Sequence, residues 1–176
     1  MDEPKELTES KPDEIQLGIE NVQRFFISHL DRIFCAKQYL IQQLPEIAGL
    51  STFPDLKIAI NNTIDSIQAQ IDRMREIYQI LGETYTLQYA KGFKGMIEEL
   101  FSSVKDQNGN QELQDMAIIY YLQSIESLEM ASFQMLQIAA MKFKNEEVNQ
   151  LLKDNFSEAK AERALLLLLS AKYVTS

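Results

Sequence analysis

The chain has 176 residues, a formal net charge of −9 and a hydrophobic content of 45%, which fits a single globular domain. Its 17 basic against 26 acidic side chains argue against nucleic-acid binding, because phosphate recognition needs clustered Lys and Arg. One cysteine excludes an internal disulfide, and no apolar stretch approaches the roughly 18 residues that cross a bilayer. These features predict a cytoplasmic protein with neither a nucleic-acid nor a membrane partner.

The N-terminal segment differs in composition from the rest of the chain. Residues 1–12 are mostly polar or charged and contain two of the four prolines, so they have little to bury. They predict a disordered acidic tail, followed by one domain at 13–176.

The first long helix is expected from about Asp13 to Leu44, because Pro45 cannot continue a helix interior. Apolar residues recur along it every three or four positions, as on one buried helix face, and Lys37 interrupts them. This seam comprises Ile15, Ile19, Val22, Phe26, Leu30, Ile33, Lys37, Leu40 and Leu44.

The second long helix is expected from Pro54 or Asp55 to Leu81, with Gly82 as its C-terminal stop. Its seam contains only apolar or aromatic residues. They are Ile60, Ile64, Ile67, Ile71, Met74, Tyr78 and Leu81.

A long crossing segment, 83–109, follows and includes a predicted short helix from Gly92 to Val104. A turn at 106–110 supplies the N-cap of a third long helix, from about Asn110 to Met141. Its seam also has one charged member, since it runs Ile118, Leu122, Ile125, Glu129, Phe133 and Leu136.

The fourth long helix is expected from Asn145 to Lys172, antiparallel to the third because the link between them is short. Four long helices with one long crossover are typical of a ferritin-like four-helix bundle, so the predicted fold is all-α. The fourth helix has two alternative seams. One is Val148, Leu152, Asn155, Ala159, Glu162 and Leu166; the other is Leu151, Asn155, Glu158, Glu162, Leu165 and Leu169.

Lys37 and Glu129 each take a core-facing place, and an unpaired buried charge is strongly unfavourable. One interpretation is a buried ion pair between Lys37 and Glu129 or Glu126. The other is that the stem of Lys37 packs on the core while its amine reaches solvent.

Several segments together carry a family resemblance. The chain resembles the bacterial YciE/YciF-like proteins, a ferritin-like group associated with stress responses, over about residues 20–170. The segments are FISHLDRIFCAKQYLIQQLPEIA at 26–48, FPDLK at 53–57, MREIYQILG at 74–82, KGMIEEL at 94–100, DMAIIYYLQSIESLEMASF at 115–133 and LLKDNFSEAKAE at 151–162.

The resemblance implies a site for two irons, which needs several carboxylates, one Glu from each of two helices and Glu-x-x-His from each of the others. This sequence departs from that pattern on the first two helices. It also has no histidine at a ligand position, because its one histidine, His29, lies eight residues, or about 12 Å along the helix, from Lys37 and cannot reach the same site. The corresponding positions hold Lys37, Ser66, Gln70, Glu126, Glu129, Glu158 and Glu162.

We therefore expect no catalytic residues, no bound metal and no cofactor, and the lone Cys35 to be packing. The predicted function is a non-enzymatic structural or interaction role, with the stress-related setting that the resemblance implies. The alternative is a metal-binding oxidase or iron-handling protein, with iron or manganese held by Glu126, Glu129, Glu158 and Glu162. A small apolar ligand in the core has no specific support.

The leucine run at 164–169 surrounds its helix, whereas burial in a bundle needs only one stripe. Some of these leucines must either lie under another segment or face a second subunit. The aromatic doublets Phe25–Phe26 and Tyr120–Tyr121 likewise exceed one seam. These features predict a homodimer.

Overall fold

The computed structural model describes residues 17–86, 91–107 and 109–175, and within them all regular secondary structure is α-helical. The prediction of an all-α bundle with a long crossover carrying a short extra helix is confirmed. The tail predicted at 1–12 lies outside the described residues. The five helices are α1 (Ile19–Leu50), α2 (Pro54–Leu81), α3 (Lys91–Asp106), α4 (Gln111–Ala140) and α5 (Glu146–Thr175).

The first helix differs from its prediction at both ends. Leu17 and Gly18 precede it, whereas the expected start at Asp13 lies outside the described residues. The predicted end before Pro45 is wrong, because α1 continues through this proline to Leu50. Proline removes one backbone hydrogen bond, but the extra turn buries Ile47 and Ala48, which favours continuation.

The four long helices form a closed bundle in which α1 contacts α2 and α4, and α5 contacts the same two helices. All four neighbouring pairs are antiparallel, since residues early in one helix meet residues late in the other. The contacts that show this are Asp31 with Tyr78, Thr52 with Asp115, Arg73 with Glu158, and Gln137 with Leu152.

This arrangement explains the crossover. The end of α2 and the start of α4 lie at opposite ends of the bundle, so the chain must travel its full length between them. The helix α3 covers part of that distance, packs against α1 and α4, and buries Ile97, Leu100 and Val104.

The seams predicted on α1 and α4 form the core. On α1 every member from Val22 to Leu44 is buried, including Lys37, whereas Ile19 is exposed. On α4 all six predicted members, including Glu129, are buried. On α2 the seam also holds, with Ile64 and Leu81 only partly buried.

On α5 the first of the two alternative seams is the buried one. Val148, Leu152, Asn155 and Ala159 are buried, whereas Leu151 is only partly so. In the leucine run, Leu166 and Leu169 are buried, and the other three leucines are exposed by 41%, 54% and 68%. A bundle thus accounts for two of these five leucines.

The helix ends follow local sequence signals. Asn110 caps α4 by accepting a hydrogen bond from the Leu113 N–H at 3.1 Å, as predicted for the 106–110 turn. Gly82 ends α2 with φ 67°, a conformation that glycine adopts without steric cost. Within the described ranges, no helix is both long enough and apolar enough to span a membrane.

Candidate functional site

A buried ion pair joins α1 to α4 at mid-bundle. Lys37 has no solvent-exposed side-chain area, Glu129 has 1%, and the Lys37 ammonium donates a hydrogen bond to Glu129 Oε2. The Phe133 ring lies one turn beyond, with its centroid 5.9 Å from Lys37 Nζ, which is within cation–π range. The amine therefore does not reach solvent, and the paired interpretation of Lys37 is the one the structure shows.

Two further carboxyl groups lie close to this pair. Glu126, one turn before Glu129 on α4, is 2% exposed. Burial raises its pKa well above the usual value, the negative charge of Glu129 raises it further, and the ammonium of Lys37 acts in the opposite direction. Burial also raises the pKa of Glu162 on α5, whereas the nearby Ser66 hydroxyl and the charge of Lys37 act to lower this pKa.

The α2 helix adds Ser66 and Gln70, which are one turn apart. Gln70 is fully buried, and neither atom of its side-chain amide has a hydrogen-bond partner among the described residues. Glu126 Oε2 and both carboxylate oxygens of Glu162 are also buried. Among the described residues, no contact to these three oxygens has the distance and angles of a hydrogen bond. Unpartnered buried polar atoms are costly and rare.

These side chains define a polar cluster to which all four long helices contribute. Six of the seven positions named from the sequence belong to it. The polar cluster consists of Lys37, Ser66, Gln70, Glu126, Glu129 and Glu162.

The seventh position, Glu158, lies outside the polar cluster. Its side chain is 36% exposed and forms an ion pair with Arg73 of α2. The Arg73 Nε also donates to Asn155 Oδ1 at 2.6 Å. Glu158 lies at the boundary between α2 and α5, because the side of α5 that faces the core is the one with Asn155 and Ala159.

The two isolated candidates from the sequence have packing roles. His29 is partly exposed, its Nδ1 lies 2.9 Å from the Phe25 carbonyl oxygen, and its ring stacks on the Phe25 ring. Cys35 is buried, and its Sγ donates to the Thr86 carbonyl at 3.7 Å. Burial, with the charge of Asp31 as a second cause, raises the pKa of the Cys35 thiol and so lowers its reactivity.

Sequence reasoning missed two buried aspartates. Asp31 accepts a hydrogen bond from the Tyr78 hydroxyl at 2.6 Å, and burial followed by this bond raises the pKa of Tyr78. Asp115 is fully buried and could have been found, because it extends the α4 seam three residues back from Ile118.

Asp115 fastens one end of the bundle. Its carboxylate accepts hydrogen bonds from the Thr52 N–H at 3.2 Å, the Thr52 hydroxyl at 2.8 Å, the Phe53 N–H at 3.1 Å and the Tyr173 hydroxyl at 3.2 Å. It thereby caps the N-terminus of α2 from α4 and holds the end of α5.

The polar cluster does not fit the two-iron site of ferritin-like proteins. A protonated lysine has no lone pair for a metal, and Lys37 takes one position, while Glu158 is paired elsewhere. Across 17–86, 91–107 and 109–175, no group of three or more His, Cys, Asp or Glu side chains is arranged to hold a metal ion.

The family model described as Domain of unknown function (DUF892) matches residues 21–175. The chain belongs to this family. Protein YciF of Escherichia coli K12 is 25% identical over 149 residues, which span 82% of this chain and 87% of YciF. The predicted resemblance to YciF-like proteins is therefore confirmed.

Solved structures related to this DUF892 chain share its fold. The E. coli stress protein YciF matches with a TM-score of 0.83 at 24% identity, over 88% of this chain and 98% of that one. YcfI of Rhodopseudomonas palustris matches with a TM-score of 0.78 at 22% identity, over 89% and 97% of the two chains.

Proposed function

We propose that this DUF892 chain is a cytoplasmic, non-enzymatic ferritin-like protein with a structural or interaction role in a stress response. In this proposal the polar cluster stands where ferritin-like proteins carry two irons. The buried ion pair between Lys37 and Glu129 is the observation that carries it, because an ammonium supplies the positive charge that a metal would supply.

The ion pair has a structural consequence that suits such a role. It links two helices whose paired residues are 92 positions apart in sequence. A buried charge pair is satisfied only in one register of its two helices, so slipping α1 against α4 would strand both charges. We infer that the pair specifies how these helices align.

The relatives supply the setting of the proposal. YciF is described as a stress protein, and YcfI is provisionally described as a structural protein. Neither description is that of an enzyme. Both support a role in which the fold itself, or its association with another chain, performs the function.

Metal analysis of the purified protein tests the proposal. The protein would be produced in cells supplemented with iron and manganese and purified without chelators. Its metal content would then be measured by inductively coupled plasma mass spectrometry. We expect well below about 0.1 equivalent of either metal per chain. The ammonium of Lys37 already neutralises carboxylate charge and would repel a divalent cation at short range. Near-stoichiometric iron would instead support the alternative of an iron-handling protein or oxidase.

The partner we propose is a second copy of this chain. Exposed apolar side chains lie on α5 and on α4, where a monomer leaves them in water. They include Leu165, Leu167, Leu168, Leu128, Met135 and Ile138.

Light scattering coupled to size exclusion tests the homodimer. The expected mass is twice the 20.3 kDa of the chain. Leu168→Glu should shift the protein toward monomer if α5 is at the interface, whereas Lys160→Glu at an exposed position of the same helix should not. A monomeric wild-type protein at micromolar concentration would contradict the proposal.

A further inference from the structure

We propose that the outer groove between α4 and α5 binds an acidic amphipathic helix of a partner protein. The proposal rests on the interaction role proposed above and names the chemistry of the partner. It concerns the outward side of these two helices, whereas the polar cluster lies inside the bundle.

The α4–α5 groove consists of two adjoining depressions, of about 350 and 760 Å³, that run from Met116 to Met141 along α4. Ser127 lines the first depression and Ala131 the second, and these two residues are one helical turn apart, so both depressions open on the same side of α4. At 1.5 Å per residue the groove is about 38 Å long. A groove of this length between two antiparallel helices suits a third helix, whose side chains form ridges that pack into it.

The α4 side of the groove is apolar and carries no exposed charge. In residues 116–141 the only charged side chains are those of Glu126 and Glu129, and both are buried. A helix face that meets water normally carries charged side chains, whereas loss of charge with exposed aromatic and methionine side chains is typical of protein interfaces. The large exposed side chains that line the groove are Tyr120, Met135, Ile138 and Met141.

The α5 side gives the groove a positive charge. Lys153 and Arg163 line it, and within the described part of the chain no acidic side chain does, although 26 of the 176 residues are acidic. Arg163 donates to the Ser127 hydroxyl at 2.7 Å, and neither cation forms an ion pair with a described residue. On a chain of net charge −9, an acid-free groove with two such cations matches an acidic partner.

A second copy of the chain suits this groove less well. In a two-fold dimer the same surface patch meets itself, so a dimer through the groove would bring the cations of both copies together with no acidic group of the groove to balance them. Leu168, where the proposed homodimer is tested, lines neither depression. An acidic helix instead offers carboxylates to Lys153 and Arg163 and apolar side chains to the adaptable methionines of α4.

The experiment measures the binding of a fluorescein-labelled synthetic peptide by fluorescence anisotropy. The peptide has about three heptads, or roughly 30 Å of helix, with leucine at positions a and d and glutamate at most others. We expect a micromolar dissociation constant that rises with salt concentration. A peptide with lysine in place of glutamate, and a scrambled peptide of the same composition, should bind at least about tenfold more weakly.

Matched variants at exposed positions locate the site. Lys153→Glu combined with Arg163→Glu should weaken binding of the acidic peptide at least about tenfold and strengthen binding of the lysine peptide. Gln134→Glu adds one acidic group to the groove at nearly constant side-chain size and should also weaken binding of the acidic peptide. Lys57→Glu, at an exposed position of α2, is the control and should leave the affinity unchanged.

The proposal is overturned if the acidic peptide does not bind, or if it binds wild type and the Lys153→Glu, Arg163→Glu variant equally. It is also overturned if phosphatidylglycerol vesicles bind in a manner that requires Lys153 and Arg163, since a membrane would then be the occupant. A change in oligomeric mass in the same variant would overturn it as well, because the occupant would be a second copy. A monomeric wild-type protein that binds the acidic peptide would refute the homodimer but support the peptide site, so the two failures are distinguishable.

Discussion

Replacing Lys37 with alanine removes the only cation of the polar cluster and leaves Glu129 without its partner. The carboxylate of Glu129 is 1% exposed, so water cannot take over the role of the ammonium. The Lys37 stem is fully buried as well, and its loss opens a cavity beside Phe133. Both effects destabilise the folded protein.

The magnitude follows from the burial of both partners. Removing one partner of a buried ion pair costs roughly 3–5 kcal/mol, because the remaining charge is left in the interior without a counter-ion. Glu129 meets this condition, since its side chain is 1% exposed and Lys37 is its ion-pair partner. For a domain of this size the expected fall in Tm is about 6–20 °C.

Urea unfolding followed by circular dichroism, with thermal melts alongside, measures the effect. Lys37→Met combined with Glu129→Met should be close to neutral or stabilising, since neither charge remains buried. Lys160→Ala, an exposed lysine on α5, serves as the control and should change stability by less than about 0.5 kcal/mol.

A free energy of unfolding that Lys37→Ala leaves unchanged at pH 7 would refute this reasoning. It would mean that the amine is hydrated in solution and that Glu129 does not depend on it.

The remaining predictions concern other buried groups. Asp115→Ala should cost about 3–5 kcal/mol in urea unfolding, because four donors lose a charged acceptor; a loss below about 1 kcal/mol would contradict the cap. For Glu126, a pKa raised above 4.5 means that the folded state holds a proton that the unfolded state releases. Its contribution to stability is complete below pH 4.5 and is lost as pH rises toward the folded pKa. Glu126→Gln should therefore gain stability relative to wild type as pH rises above 4.5, in unfolding curves at several pH values, whereas a constant difference would refute the assignment. Cys35 should react with an aromatic disulfide reagent far more slowly in the native protein than in urea, and equal rates would show that it is accessible. Glu158→Ala should cost less than about 1 kcal/mol, because its pair with Arg73 is partly exposed; a loss above about 2 kcal/mol would place it in the core network.

Periodicity alone was sufficient for most of the fold. The three- and four-residue spacing on α1 and α4 identified the buried faces even where a charged residue stands in them, because position on a helix determines burial once the bundle forms. The crossover was predicted because the connection at 83–109, between the second and third long helices, is too long for a helical hairpin. The end of α1 did not follow, since a local penalty at Pro45 was outweighed by tertiary burial of Ile47 and Ala48.

The polar cluster was predictable only in part. Lys37, Glu126 and Glu129 follow from the seams, but Glu158 and Glu162 are four residues apart, and sequence does not decide which of them turns inward. The α5 core face settles this, because Asn155 and Ala159 are buried with Glu162 one turn further on. Gln70 was named only through the family pattern, and its unpartnered amide became visible only in three dimensions.

Asp31 and Asp115 show a different limit. A buried aspartate on a helix is unfavourable unless a donor meets it, and the donors come from distant segments. For Asp115 they are Thr52, Phe53 and Tyr173, which no local pattern brings together.

The central claim is that an ammonium, and no metal ion, supplies the positive charge of the polar cluster. The most direct measurement is a crystal structure of the wild-type protein from cells supplied with iron and manganese, with anomalous diffraction collected at both absorption edges. The account predicts Lys37 Nζ within hydrogen-bond distance of Glu129 and no anomalous peak among the cluster residues. A peak bound by Glu126 and Glu162, with Lys37 turned away from Glu129, would contradict it.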